Sequence, residues 1–98
     1  NALLIFDETV TGFRCSLGGA QELFGVVPDL ATFGKGMANG YPLSAIVGSN
    51  KVMKKMEDIF FSGTFGGETL SLAAANAIID KYKKEKVVEY LMEIGTYL

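Results

Sequence analysis

The chain has 98 residues, 49% hydrophobic and 20% charged, with a net charge of −2, which is enough for one packed unit with its own core and not for two. With no long run of one charge sign, a basic nucleic-acid surface is excluded, and no apolar run approaches the roughly 20 residues that cross a bilayer. The single cysteine, Cys15, rules out an internal disulfide framework and fits a reducing, cytoplasmic setting, while the lack of any histidine excludes a Cys–His nucleophile and weakens a zinc site.

The opening residues show neither a basic lead nor a cleavage-site pattern, and no methionine begins them, so they read as a chain entered midway. Leu3-Leu4-Ile5-Phe6 is a continuous apolar run that predicts a strand buried on both faces. A glycine-rich loop from Thr11 to Gly19 is expected next, then a short helix over Ala20 to Phe24 stopped by Gly25. After a turn at Pro28-Asp29, Leu30 to Phe33 predicts a second strand, ended by Gly34-Lys35-Gly36; Ser44 to Val47 predicts a third. Asn50 is placed to cap a helix over residues 51–56, and Ile59 to Phe61 reads as a further strand. From Glu68 or Thr69 a long helix is expected, with Leu70, Ala73, Ala74, Ala77, Ile78 and Tyr82 on its apolar face. An amphipathic segment over residues 87–98 closes the chain.

Strands interleaved with helices predict an α/β fold with a mainly parallel sheet flanked by helices. In such sheets ligands bind beyond the carboxyl ends of the strands, a rule that puts Asp7 and Lys35 on one functional edge. Flanking glycines give Lys35 a sharp turn and room for a bulky group, and a lysine so placed can form a Schiff base with an aldehyde cofactor. Asp7 would stay ionised opposite a cation such as a protonated pyridine nitrogen, and the loop Ser62 to Gly67 offers a hydroxyl and amides to a phosphate. Taken singly, each feature also has an ordinary reading as a cap, a surface lysine or a turn. Nucleotide binding loses support from spacing: Asp29 stands where a Walker A glycine belongs, and Gly34 to Gly40 misses G-x-G-x-x-G by one residue.

Asp7-Glu8-Thr9-Val10-Thr11-Gly12-Phe13-Arg14 resembles the D-E-V-x-T-G-F-R segment of class III aminotransferases. Pro28-Asp29-Leu30, Gly34-Lys35 and Gly40-Tyr41-Pro42-Leu43-Ser44-Ala45 follow in that family's order and approximate spacing, and the branch resembled is the glutamate-1-semialdehyde aminomutase-like one. The resemblance implies a central part, residues 1–98, of the large domain of a fold type I transferase dependent on pyridoxal 5'-phosphate, with the N-terminal part and the small C-terminal domain outside it. It implies that Asp7 binds the pyridine nitrogen and that Lys35 forms the Schiff base and later moves the proton. Thr9, where the family usually has valine, would pack on the ring face. Thr64 would reach the cofactor phosphate of the neighbouring subunit in a homodimer. Arg14 would shape the loop without a catalytic role.

The activity so implied is transamination between a small-molecule amino donor and a keto or aldehyde acceptor, with this segment inactive on its own. Alternatives are an intramolecular aminomutase, which uses the same residues, and a non-catalytic dimerisation module. Three departures from the family bear on substrate: Val10 where ornithine- and 4-aminobutyrate-type members often carry glutamine, Asn39 in place of a common glycine, and Gly66-Gly67-Glu68-Thr69 in place of the usual G-N-P continuation.

Overall fold

The computed structural model describes residues 2–97; Asn1 and Leu98, the expected end of the last helix, lie outside the described residues. Three short strands, β1 (Ile5–Asp7), β2 (Leu30–Phe33) and β3 (Ala45–Gly48), form one sheet in that order. β1 and β2 are parallel, with Ile5 opposite Leu30, Phe6 opposite Ala31 and Asp7 opposite Thr32. Parallel neighbours need a long crossover, and residues 8–29 supply it, including the helix α1 (Ala20–Phe24). Its bounds are those the glycines on either side predict.

The fold is α/β, but its sheet is mixed. β3 returns antiparallel, with Phe33 opposite Ala45 and Leu30 opposite Gly48. The link of residues 34–44 explains the reversal, because it holds a single 3-10 turn (Lys35–Met37) and is shorter than the dozen or more residues a helical crossover takes.

Two helical pieces follow, α2 (Asn50–Met53) and a 3-10 stretch over Lys54–Asp58. Ser49, not Asn50, is the capping position, and it acts through its carbonyl, which accepts from Val52 and Met53 at 3.0 and 2.9 Å. The strand expected over Ile59 to Phe61 does not form; no neighbouring strand pairs with these residues, and Phe60 is 95% exposed. The long helix α3 (Thr69–Lys84) starts where predicted. Glu68 caps it, its carboxylate accepting from the N–H groups of Leu70 and Ser71 at 2.7 and 2.8 Å. Glu68 thereby gives the Gly66 to Thr69 departure a structural use. The last helix is α4 (Val87–Gly95).

The buried cluster is small and lies between α3 and the turn that follows β2: Phe13, Met37, Ala38 and Ala75, edged by Phe33, Ile79 and Tyr82. On α3 the buried residues are therefore Ser71 and Ala75, a face rotated from the predicted one, and Leu70 is exposed. Small side chains at these two positions let the helix approach the turn closely. β1 is likewise not buried on both faces, since Leu3, Leu4 and Ile5 are exposed, as are Ile46 and Val47 on β3. With so much apolar surface uncovered, the radius of gyration is 14.8 Å, above the about 13 Å of a compact chain of this length.

Candidate active site at the carboxyl edge of the sheet

Parallel pairing of β1 and β2 brings Asp7 and Lys35 to the same edge of the sheet. Asp7 ends β1 and faces Thr32 in register. Its Oδ1 accepts from the Thr9 N–H and from the Thr32 hydroxyl, each at 3.0 Å. Bonds from Thr9, then from Thr32, hold the carboxyl below the ordinary aspartate value of 3.8, and the nearby charge of Lys35 acts in the same direction. The ion pairs among the described residues lie elsewhere, at Lys55–Asp58 and Lys81–Glu85. Asp7 is thus an ionised, exposed acid supported by hydroxyl and amide donors.

Lys35 opens the 3-10 turn directly after β2. The sharp reversal was expected of its glycines, yet Gly34 is extended, with φ −168°, and the left-handed residue is Lys35 itself, with φ 38°. Non-glycine residues enter that region rarely, at a cost of order 1–3 kcal/mol. Phe13 (φ 61°) and Asn39 (φ 44°) do so too, and both adjoin this turn. The turn is over-determined from below: Met37 and Ala38 are buried against Phe13 and Ala75, Met37 N–H donates to the Gly34 carbonyl at 2.9 Å, and Asn39 N–H to the Lys35 carbonyl at 2.8 Å. The Lys35 side chain is left exposed above a fixed backbone.

Thr9 lies two residues past Asp7, half-buried, with its Cγ2 near Gly34. It therefore joins Asp7 to the Lys35 turn. Thr64 makes no hydrogen bond to Asp7, Thr9 or Lys35 among the described residues. It lines a groove with Pro42, Leu43, Phe61 and Leu72, in a loop where the Gly66 N–H is already taken by the Gly63 carbonyl at 3.0 Å, and Leu43 also borders Gly34.

Glu8 is the residue that the sequence pattern does not single out. It is 1% exposed, and its carboxylate accepts from the Ala20 and Gln21 N–H groups at 2.8 Å each and from the Thr11 hydroxyl. A buried acid thus binds the start of α1 to the end of β1 and fixes the loop between them. Burial pushes the Glu8 carboxyl up, but the bonds from Thr11, Ala20 and Gln21 outweigh it and hold the group below the ordinary glutamate value of 4.5. A depressed folded value means that the stabilisation is complete above pH 4.5 and fades as pH falls through the folded value. Glu8→Gln is expected to cost about 1–3 kcal/mol at neutral pH, because a buried donor loses its acceptor. It should also flatten the loss of stability in acid, as read from urea unfolding at several pH values; an unchanged acid limb would count against the assignment. The one signal in the sequence was an acid directly before a glycine-rich loop, and that is common in ordinary turns.

An α/β unit whose carboxyl sheet edge carries an ionised acid and an amine, joined through a threonine, is the class of protein that fold and site together define. The model of the class III aminotransferase family matches residues 1–98. This chain belongs to that family. It is 47% identical over 96 residues to 3-aminobutyryl-CoA aminotransferase of Cloacimonas acidaminovorans, covering 97% of this chain and 23% of that protein. With glutamate-1-semialdehyde 2,1-aminomutase of Methanosarcina acetivorans it shares 43% identity, over 100% of this chain and 24% of that protein. Among solved structures, the pyridoxal-phosphate internal aldimine form of the FumI protein of Sphingopyxis sp. MTA144 superposes with a TM-score of 0.91 at 37% identity, over 97% of this chain and 23% of that one. An omega-transaminase from Sphaerobacter thermophilus gives a TM-score of 0.75 at 33% identity, over 81% of this chain and 19% of its own. The chain spans about a quarter of the length of the curated relatives it matches.

Proposed function

We propose that this chain carries the cofactor edge of an aminotransferase that uses pyridoxal 5'-phosphate, and that it forms a central part of the large domain. The observation that supports this most is the meeting of Asp7 and Lys35 on one carboxyl edge, with Asp7 held ionised by neutral donors. The donor set fits the cofactor: an ionised carboxylate suits a ring N–H cation, and an exposed amine on a fixed turn suits an aldehyde. When bound, pyridoxal phosphate supplies an electron sink for charge developing on the substrate carbon. Asp7 would offer a negative charge to the ring nitrogen. Lys35 would hold the cofactor through Nζ and would carry the proton at the substrate carbon. Thr9, whose Cγ2 lies beside Gly34, would bound the ring face. By the family resemblance, Thr64 would serve the cofactor phosphate of a second subunit in a homodimer. Among the described residues no helix is long and apolar enough to cross a membrane; the lone cysteine, Cys15, supports a cytoplasmic setting.

Substrates are a small-molecule amino donor and a keto or aldehyde acceptor. The 43% identity to an aminomutase favours a second reading, in which the amino group moves within one molecule. Release of a separate keto co-product distinguishes the two. For the reading as a whole, the test is a visible spectrum of the full-length protein with added cofactor, before and after an amino donor. A yellow band that appears with cofactor and shifts with donor is the expected result; no band at saturating cofactor overturns it.

A further inference from the structure

Arg14 lies at the crossing of three segments. Its Nη1 donates to the Tyr82 hydroxyl on α3 at 3.0 Å and to the Phe13 carbonyl at 3.4 Å, and its Nη2 donates to Asn39 Oδ1 at 3.2 Å. Tyr82 in turn donates to the same Phe13 carbonyl at 2.9 Å. The guanidinium also lies close to the residue that follows Lys35: a Cβ on Gly36 would stand 3.3 Å from its Cζ and Nη1. Below it, the Phe13 ring packs edge-on against Phe33 and Tyr82, with centroids 6.1 and 6.0 Å apart, and Phe33 is the last residue of β2. Both ends of the Lys35 turn are thus held by one side chain and the ring beside it. Asn39 explains the departure noted from the sequence. Asparagine tolerates the left-handed backbone found there and adds an acceptor that a glycine lacks.

We propose that Arg14 is a positioning residue for Lys35, acting through Asn39, Gly36 and Tyr82 to fix the turn from which the lysine projects. This rests on the aminotransferase reading above and extends it to a residue outside the Asp7, Thr9 and Lys35 group. A forked guanidinium suits the site, since one group beside Gly36 donates from Nη1 to a hydroxyl and from Nη2 to an amide oxygen. Lysine offers a point charge and cannot do both.

The test uses the full-length protein loaded with cofactor and three variants: Arg14→Lys, Tyr82→Phe and Asn39→Gly. The last relieves a strained backbone while removing an acceptor, so loss of folding does not explain its effect. Misplacing a reacting group by 1 Å can lower rates about a hundredfold, and a partly loosened turn should fall short of that. Arg14→Lys is expected to lower kcat about tenfold with the donor KM unchanged, and to move the pH midpoint of the cofactor band. Tyr82→Phe and Asn39→Gly should move both in the same direction by less. Variants that keep the parent's kcat and pH midpoint overturn the proposal, even where thermal stability falls, because that pattern is what a merely structural arginine gives. A parent protein that takes up no cofactor overturns the functional reading and this assignment with it.

Discussion

Lys35→Ala is expected to leave the protein with no reducible cofactor adduct and to lower turnover by about a hundred- to ten-thousandfold, the range that positioned proton transfer typically contributes. The substitution should spare the fold. Lys35 is exposed, and the turn beneath it is held by Met37, Ala38 and backbone bonds that the side chain does not make. Alanine also carries the same Cβ into the left-handed conformation, so the backbone strain is unchanged; surface changes of this kind usually stay within about 0.5 kcal/mol. Borohydride reduction followed by peptide mass spectrometry checks the result. The other seven lysines, Lys51, Lys54, Lys55, Lys81, Lys83, Lys84 and Lys86, lie in or beside α2, α3 and α4. An adduct on any of them in the Lys35→Ala protein would sink the assignment.

Asp7→Asn separates charge from shape. Asparagine keeps an oxygen that can accept from the Thr9 N–H and the Thr32 hydroxyl, so β1 and its loop should hold their places. What disappears is the negative charge that those donors favour. Removing one preorganised electrostatic partner typically costs about a hundred- to a thousandfold in turnover, and a loss in that range is expected here, with weaker cofactor retention on dialysis. Asp7→Glu should recover part of it. Full activity in Asp7→Asn would mean that the acid only closes the strand. The pH profile offers a second check. A carboxyl held below 3.8 stays charged as pH falls to that value, so this group should impose no acidic limb on activity above it.

Local pattern carried much of the architecture. α1, β2 and the start of α3 fell where glycine breaks and apolar period placed them, because each is set by residues close together in the chain. The edge shared by Asp7 and Lys35 was legible for the same reason: a strand, a helix and a second strand in succession force parallel pairing, and parallel pairing aligns carboxyl ends. Coarser expectations failed where a partner was needed. Ile59 to Phe61 has strand composition and no strand beside it. The apolar face of α3 turned toward a small turn rather than a broad core, so Ser71 and Ala75 went inside while Leu70 stayed out.

By itself, the sequence determined the family, the α/β succession of elements and the two residue types at the sheet edge, since these follow from short-range spacing and from coordinated motifs. Only the tertiary structure decided that β3 runs antiparallel, that Glu8 is a buried clamp on α1, that the left-handed residue is Lys35 rather than a glycine, and that Arg14 reaches Asn39 and Tyr82. The reason is physical. Arg14 and Tyr82 are 68 positions apart, and a hydrogen bond over that separation depends on how α3 docks on the turn, which no local period encodes.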